Sequence, residues 1–380
     1  MRILFLVNAP RARLTGAASQ TLALASALIT NGEHVSIAGQ RGSALERASL
    51  ERGVSFHPVA FRATPWDLMR LTNVIRRERP DVVHAMSVVP LVLARPRVLA
   101  ASGPGRGREG LFATIHVDPT SPLVFADGKS RPRAARFRNR LLRRVAPGLD
   151  CLFLVSGAIL AELEAMGVAG RKVVVGAIVD ATDLAKRRRE PVELPAGRPR
   201  IGSAVGQLER LKGVDHLLRA FAALSTEYPE AACLIAGEGT EREALTLLAA
   251  ELGVRDRVHL MGYIDDPAAF IGSLDVYVSP SLSEGLGVAL AEALALGVPA
   301  VATDVGGTRD VVIPGRTGLI VPPADSSAMA GAIRQLLGNP ERAHRMAREA
   351  AADAGSRFGP DRVLDVTLAE YRRAIERRAG

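Results

Sequence analysis

Cysteine, aromatic residues and long apolar runs are all scarce in this chain of 380 residues. Its two cysteines, Cys151 and Cys233, have no partners at metal-binding spacing, which argues against a disulfide scaffold or a cysteine zinc site and fits a reducing cytosol. No stretch reaches the ~18 uninterrupted apolar residues of a membrane span, because Pro90 breaks the most apolar segment. The apolar run at 3–7 is also too short for a signal-peptide core. We therefore expect a soluble, cytoplasmic protein.

Acidic residues are scarce in one half only. Residues 1–199 hold 30 Lys and Arg against 16 Asp and Glu, whereas residues 200–380 hold 19 against 24. Much of the basic excess lies in the segment 129–144, which carries one lysine and seven arginines. Such a segment either meets an anionic partner or forms a solvated, arginine-rich surface, and the composition leaves both interpretations open. A nucleic-acid site is not indicated, since no aromatic residues are interleaved with the basic ones.

Short β-branched runs alternate with Ala- and Leu-rich stretches from end to end, a pattern that predicts βαβ units and parallel sheets. The pattern stalls at 185–200, where charges and three prolines indicate a linker. We expect an α/β protein with two doubly wound, Rossmann-like domains. The predicted divisions are an N-terminal domain at 1–184, the linker at 185–200, a C-terminal domain at 201–358, and a C-terminal helix at 359–380 that packs back towards the first domain. Ligands bind beyond the carboxyl ends of such strands, so we expect the main site in an inter-domain cleft.

The strongest cluster of chemical groups lies between Ser279 and Pro299. A strand is expected to end near Ser279, and Glu284 follows at the mouth of a helix opened by two glycines, where N–H groups attract anions. Glu292 comes eight residues later, about 12 Å along a helix. Paired glycosidase carboxylates stand roughly 5–9.5 Å apart, so these two do not flank one bond. They could grip the ends of a long anion such as a nucleotide-sugar, or they could be ordinary helix and surface glutamates.

The same segment resembles the E-x7-E signature of the retaining glycosyltransferases of family four, which share the GT-B fold. Other motifs of that family are matched in order by the stretches 206–213, 234–239, 258–263 and 306–310, and more thinly by Thr15-Gly16 and by Thr114-Ile-His116. The resemblance implies transfer of a sugar, with retained configuration, from a UDP- or GDP-sugar to an acceptor hydroxyl. It also implies that the domain at 1–184 binds the acceptor and that the domain at 201–358 binds the donor. The family pattern implies no cofactor beyond the donor, and we find no oxygen-rich cluster for a metal ion.

The resemblance also implies a role for each matching position. Glu284 would meet hydroxyls of the transferred sugar, Glu292 the ribose hydroxyls, and Lys212 the diphosphate. Gly16 would let its backbone approach the β-phosphate, and His116 would lie near the reacting centre or the acceptor. Further donor contacts are expected at the strand-end turn, beside the base and at the helix mouth, which places them at Gly237, Glu238, Tyr263, Ile264, Gly285, Leu286 and Gly287.

Two positions depart from the family pattern. Gln207 stands where the family has an arginine, and Arg210 is a candidate to replace that charge. The usual hinge motif is replaced by the sequence from Gly176 to Asp180. His84 is expected to be a hydrogen-bonded histidine at a strand end.

The acceptor is expected to be a glycan, a lipid-linked molecule or a small molecule. The segment 129–144 could give weak peripheral contact with an anionic membrane. Two other classes stay open. One is another nucleotide-sugar enzyme of the same fold (an epimerase, hydrolase or phosphorylase), and the other is a non-catalytic nucleotide-sugar-binding adaptor.

Overall fold

The computed structural model describes residues 1–9, 13–62, 64–101, 109–116, 132–189 and 192–379. The described residues up to Ile178, together with those from Pro360 onward, form one compact unit. The described residues from Val179 to Gly359 form a second compact unit. Among these residues, no helix combines the length and the apolar character that crossing a membrane requires.

The first unit is built on a parallel sheet of seven strands. These are β1 (Arg2–Leu6), β2 (His34–Gly39), β3 (Ser55–Pro58), β4 (Val82–Ala85), β5 (Gly110–Ile115), β6 (Cys151–Leu154) and β7 (Lys172–Val174). Their order in the sheet is β3-β2-β1-β4-β5-β6-β7. The central strands are almost wholly buried, which is the property of a sheet covered by helices on both faces.

Two helical layers cover this sheet. The helices are α1 (Gly16–Thr30), α2 (Ala44–Glu51), α3 (Pro65–Glu78), α4 (Val88–Ala101), α5 (Pro132–Val145), α6 (Gly157–Ala165) and, from the C-terminal end, α15 (Pro360–Ala379). Helix α1 packs against α2 and α15, whereas α4 packs against both α3 and α5. The chain runs outward from β1 to β3 and then returns to β4 on the other side of β1, and right-handed crossovers in opposite directions place helices on opposite faces of the sheet.

Helix α4 contains Pro90, the proline that interrupts the most apolar segment of the sequence. The helix starts at Val88, so Pro90 lies in its first turn, where backbone N–H groups have no partner inside the helix in any case. A second proline, Pro96, lies inside the helix.

The second unit contains a parallel sheet of six strands: β8 (Arg200–Gln207), β9 (Ala232–Glu238), β10 (Val258–Gly262), β11 (Val276–Ser279), β12 (Ala300–Thr303) and β13 (Leu319–Val321). Its helices are α7 (Ala181–Arg187), α8 (Val214–Leu224), α9 (Arg242–Glu251), α10 (Ala268–Gly272), α11 (Val288–Ala295), α12 (Thr308–Val311), α13 (Ser326–Leu337) and α14 (Pro340–Phe358). The strand order is β10-β9-β8-β11-β12-β13. The expectation of two doubly wound parallel-sheet units is therefore confirmed.

In the second sheet the chain moves outward from β8 to β10 and then restarts on the other side of β8 with β11. This reversal of direction creates a crevice at the carboxyl ends of β8 and β11, where open α/β sheets bind ligands. The loops that follow these two strands contain Lys212 and Glu284.

Candidate functional site

Lys212 and Glu284 meet at the switch point of the second sheet. The Nζ of Lys212 donates to Oε2 of Glu284 over 2.7 Å, and the hydroxyl of Ser281 donates to the same oxygen over 3.2 Å. Both charged side chains keep some contact with solvent, at 26% and 21% exposure. Two sequence motifs 72 residues apart therefore form one polar cluster.

The two loops are bound to each other through their backbones. The amide of Leu282 donates to the carbonyl of Leu211 over 2.8 Å. Gly213 adopts a left-handed conformation, and a Cβ there would lie 2.1 Å from the carbonyl oxygen of Pro280. Only glycine lets the loops approach this closely, which explains the glycine that follows Lys212.

The loop after β12 packs against the backbone of Glu284. A Cβ on Gly306 would lie 1.7 Å from the backbone oxygen of Glu284, so this position also requires glycine. Thr303, fully buried at the end of β12, donates its hydroxyl to the carbonyl of Ser281 over 2.5 Å. The sequence motif at 306–310 thus contributes packing against the Glu284 backbone.

Gly285, Leu286 and Gly287 lead from Glu284 into helix α11, and all three are buried. Gly287 precedes the helix in a left-handed conformation, and no side chain caps the first turn. The leading N–H groups of α11 therefore lack the side-chain acceptor that most helices have, and the positive end of the helix dipole lies next to the Lys212–Glu284 pair.

Glu292 lies one turn further into α11 and is half-buried. Burial raises the pKa of its carboxyl from 4.5 to about 7; the neighbouring Arg187 lowers it, and Asp266 raises it. The described residues contribute no hydrogen bond to this carboxylate. Glu292 thus has its acceptor oxygens open to hydroxyl donors.

Arg187 and Arg188 are site-supporting residues that sequence reasoning missed. Arg187 donates to Oδ1 of Asp266 over 2.6 Å and to Oδ2 of Asp183 over 2.8 Å. Arg188 donates to the carbonyl of Leu296, the residue that ends α11, over 2.7 Å. Both arginines fall in the stretch interpreted as a linker, yet they pack on the second unit beside Glu292. The charge run at 186–189 was the signal that could have indicated this.

Four predicted donor residues lie together at the carboxyl ends of β9 and β10. Gly237 is buried, and a Cβ on it would lie 2.8 Å from Cγ2 of Val205. Glu238 follows it and accepts from Nη1 of Arg242 over 3.0 Å, while Arg242 also donates to the carbonyl of Leu260. Tyr263 and Ile264 come directly after β10 and are half-buried. The carboxylate of Glu238 is therefore engaged in an ion pair at this edge.

Gln207 and Arg210 lie next to this group on the β8 side. Gln207 is the last residue of β8, pairs in register with Glu238 and is exposed. Arg210 begins a short 3-10 helix that ends at Lys212. Its side chain is exposed and forms no ion pair with the described residues, so its charge is available to a ligand.

Two predicted residues belong to the first unit. Gly16 starts α1 after Thr15, whose hydroxyl caps the helix by accepting from the amide of Ala18 over 3.3 Å. A Cβ built on Gly16 meets no described heavy atom within 4 Å, so internal crowding does not demand glycine there. This glycine also lies beyond the carboxyl end of β1, beside the switch point of the first sheet.

His116 follows β5. Burial lowers the pKa of its imidazole to about 4, and its buried Nε2 has no hydrogen-bond partner among the described residues. The ring is therefore neutral at physiological pH.

His84 is hydrogen-bonded near the end of β4, as expected, and it is buried in the core. Its Nδ1 lies 2.6 Å from the Tyr371 hydroxyl and its Nε2 lies 2.7 Å from the Thr114 hydroxyl. Burial, with the nearby His116, lowers its pKa to about 3. Aromatic rings of Phe5, Phe112 and Phe153 surround it.

The part of the chain that the structure describes contains no group of three His, Cys, Asp or Glu side chains placed to hold a metal ion. Of the basic segment 129–144, residues 129–131 lie outside the described residues. The remainder forms helix α5.

Family models match both units. The model "Glycosyl transferases group 1" matches residues 186–353, and "Glycosyltransferase Family 4" matches residues 14–180. Both parallel-sheet units are thus matched by models of glycosyltransferases. The chain belongs to the family-four type of glycosyltransferases, which have the GT-B fold, and the family expected from the sequence motifs is confirmed.

Individual relatives agree with this assignment. A glycogen synthase of Mycobacterium tuberculosis is 35% identical over 182 residues, which cover 46% of this chain and 44% of that protein. A phosphatidyl-myo-inositol mannosyltransferase of Mycobacterium leprae is 30% identical over 268 residues, 68% of this chain and 64% of that protein. The chain thus aligns with less than half of the first relative's length.

A solved structure shows the same fold along nearly the whole chain. HepE of Anabaena, determined in complex with UDP-glucose, matches with a TM-score of 0.80 at 20% identity. The match covers 97% of this chain and 99% of that protein.

Proposed function

We propose that this protein transfers a hexose from a nucleotide-diphosphate-sugar, a UDP- or GDP-sugar, to an acceptor hydroxyl with retention of configuration. The observation that carries the proposal is the cluster at the β8–β11 switch point. Lys212, Glu284 and the uncapped start of α11 lie together there, and Glu292 lies one turn along the same helix. A cation, an anion-binding helix end and two carboxylates match the charges and hydroxyls of such a donor.

The diphosphate would bind where positive charge is concentrated. Lys212 and Arg210 would neutralise it, with the N–H groups at Gly285, Leu286 and Gly287 as hydrogen-bond donors. We propose that these groups stabilise the leaving diphosphate without a metal ion, so that a chelator leaves the transfer rate unchanged. Lys212 is paired with Glu284, and donor binding would let Lys212 turn to phosphate.

The sugar and the ribose would be held by the two carboxylates. Glu284 would accept hydrogen bonds from hydroxyls of the transferred sugar, and Glu292 would accept from both ribose hydroxyls. Tyr263 and Ile264 would contact the base, with Gly237, Glu238 and Gln207 beside them. In the first unit, the backbone of Gly16 would contact the β-phosphate and His116 would lie near the reacting centre or the acceptor.

Family resemblance favours front-face attack. The bond between C1 and the β-phosphate oxygen breaks, and the diphosphate leaves with the electron pair. The acceptor oxygen bonds to C1 from the same face, and its proton passes to the departing phosphate oxygen. The work of the protein is then to stabilise growing negative charge with fixed donors.

For the acceptor we propose a glycan, a lipid-linked molecule or a small molecule, and for the location the cytoplasm. We also propose weak peripheral contact of segment 129–144 with an anionic membrane. The exposed arginines of α5 support this, as does the name of the Mycobacterium leprae relative, a phosphatidyl-myo-inositol mannosyltransferase.

A thermal-shift panel of UDP-, GDP- and ADP-sugars tests donor binding. A ligand at ~100 times its dissociation constant adds about 2.7 kcal/mol to the free energy of unfolding, which such a scan resolves. Transfer to an acceptor, with the anomeric configuration read by NMR, tests the reaction itself. Rapid turnover of donor alone would instead identify an epimerase or hydrolase, phosphate dependence a phosphorylase, and binding without any turnover an adaptor.

A further inference from the structure

The outer surface of helices α3, α4 and α5, called here the α3–α5 face, exposes large apolar side chains. Trp66 is 73% exposed, Met69 54%, Val89 49% and Phe137 63%. These are four of the eight large apolar side chains that are exposed among the described residues, and Trp66 is the only tryptophan of the chain. Exposed apolar residues that cluster on neighbouring helices mark an interaction surface.

On α3 the exposed residues form one line. Trp66, Met69, Asn73 and Arg76 follow each other at spacings of three, four and three residues, so they lie on one side of the helix. Between this line and Pro96 of α4 runs a groove of about 380 Å³. The apolar end of the line is the N-terminal one, and the basic end is the C-terminal one.

The charge of this face is strongly positive. Helices α3, α4 and α5 contain eleven arginines and only two carboxylates, Asp67 and Glu78. Both carboxylates are half-buried and have partners. Asp67 accepts a hydrogen bond from the hydroxyl of Thr64, and Oε1 of Glu78 lies 3.2 Å from Nε2 of His57. The exposed arginines form no ion pair with the described residues; they are Arg70, Arg76, Arg77, Arg136, Arg140, Arg143 and Arg144.

We propose that the α3–α5 face docks on the surface of a bilayer that contains anionic lipid. Trp66, Met69 and Phe137 would enter the interface, and the surrounding arginines would contact lipid phosphates. Exposed aromatic residues among unpaired cations, with no exposed carboxylate on the described parts of the three helices, match the chemistry of such a surface. The inference rests on the membrane contact proposed for 129–144 and extends it to α3, with Trp66 as an anchor.

The single tryptophan makes the contact directly observable. On titration with vesicles of phosphatidylcholine and phosphatidylglycerol, we expect the emission of Trp66 to shift to shorter wavelength. Lipids brominated in the upper acyl chain should quench it, and acrylamide should quench it less than in buffer. Pure phosphatidylcholine vesicles should bind much more weakly. Emission that stays unchanged while the protein cosediments would overturn the assignment of this face.

Substitutions separate the charges from the apolar anchors. Arg76→Glu should lower partition into anionic vesicles about tenfold at low salt. Each basic residue near such a surface raises the affinity by a similar or slightly smaller factor. Arg219→Glu, an exposed arginine on α8 of the second unit, is the matched control. Met69→Ser should weaken the binding that persists at high salt, whereas Leu247→Ser, 60% exposed on α9, should not.

The outcomes also separate this inference from the proposed sugar transfer. Vesicle binding is measured without donor or acceptor, and donor binding is measured on the same preparations without vesicles. Equal losses in Arg76→Glu and Arg219→Glu, or no vesicle binding at all, would overturn the docking surface and leave a protein partner as the occupant of the face. Failure of every sugar nucleotide to bind would overturn the function and leave the vesicle result intact.

Discussion

At the scale of single residues, Glu292 shows how a buried carboxyl opposes stability. Burial raises its pKa from 4.5 to about 7, so the folded protein holds a proton there that the unfolded chain has already lost. Below pH 4.5 the carboxyl is protonated in both the folded and the unfolded state, so it does not make the stability depend on pH. As pH rises from 4.5 to 7, ionisation favours the unfolded chain, and stability is lost.

We therefore expect Glu292→Gln to be more stable than the parent at pH 8 by up to about 3 kcal/mol, with the difference shrinking towards pH 4.5. Urea denaturation at pH 5 and pH 8 measures this. Glu230→Gln, an exposed position, controls for the loss of one negative charge. A difference between Glu292→Gln and the parent that does not grow with pH would contradict the burial of this carboxyl.

Substitution of Glu292 and substitution of Glu284 are expected to impair different steps, donor binding and turnover. Glu292→Ala removes the carboxylate proposed to accept from the ribose and should weaken donor binding about 10- to 100-fold, the range of a hydrogen bond to a charged group. Glu284→Ala removes the carboxylate proposed to contact the transferred sugar and should lower kcat by roughly 10²-fold with a smaller change in donor affinity. For both variants, calorimetry measures donor affinity and steady-state kinetics measures kcat. Near-parental kcat in Glu284→Ala would make the site assignment wrong.

At the scale of elements, α11 is held at both ends by groups that are distant in sequence. Gly306 packs against the Glu284 backbone before the helix, and Arg188 donates to the Leu296 carbonyl after it. Arg187 lies beside Glu292 and lowers its pKa. The start of the stretch predicted as a linker therefore also supports the candidate site.

Arg187→Ala should consequently raise the pKa of Glu292 further. If donor binding needs the ionised carboxylate, the pH at which affinity reaches half its maximum should move upward in this variant. Calorimetric titration with UDP or GDP between pH 5.5 and 9 measures the shift. Arg316→Ala, which breaks an exposed ion pair with Glu349 in the same unit, is the matched control and should leave the profile in place.

At the scale of the whole molecule, the chain returns to its first unit at the end. Helix α15 packs on α1, its Tyr371 hydroxyl bonds His84, and Glu370 accepts two hydrogen bonds from Arg171, over 2.5 and 2.6 Å. The core cluster of the first unit includes Val363, Leu368 and Tyr371. The C-terminal helix is thus part of that unit's core.

Tyr371→Phe should therefore destabilise the first unit selectively. Loss of the hydroxyl leaves the buried Nδ1 of His84 without a partner, at a cost of about 1–3 kcal/mol. Hydrogen exchange read by mass spectrometry should show faster exchange in β4 and β5 and unchanged exchange in β8 and β9. Tyr228→Phe, a half-buried tyrosine of the second unit, should leave β4 and β5 unchanged. Equal acceleration in both sheets would contradict this division of the core.

Every strand of both sheets was predictable, because each is a short apolar run between turn residues. The helices were less predictable from the sequence than the strands. Helix α4 was obscured by Pro90, and α14 carries charges and alanines without a strong apolar stripe, so its role as a partner of α11 was not apparent. Gly306 matched a motif, but its steric reason, a backbone contact with Glu284, has no local signature.

Local pattern along the chain was enough to predict the doubly wound class and the family, and to propose Lys212, Glu284 and Glu292 as candidate site residues. Periodicity and turn chemistry involve residues that are close in sequence, so the sequence alone reveals them. Tertiary structure alone decided that Lys212 bonds Glu284, that Arg187 adjusts Glu292, and that Tyr371 satisfies His84. These contacts join residues 72, 105 and 287 positions apart, and only the crossing of strands in a folded sheet brings such positions within reach.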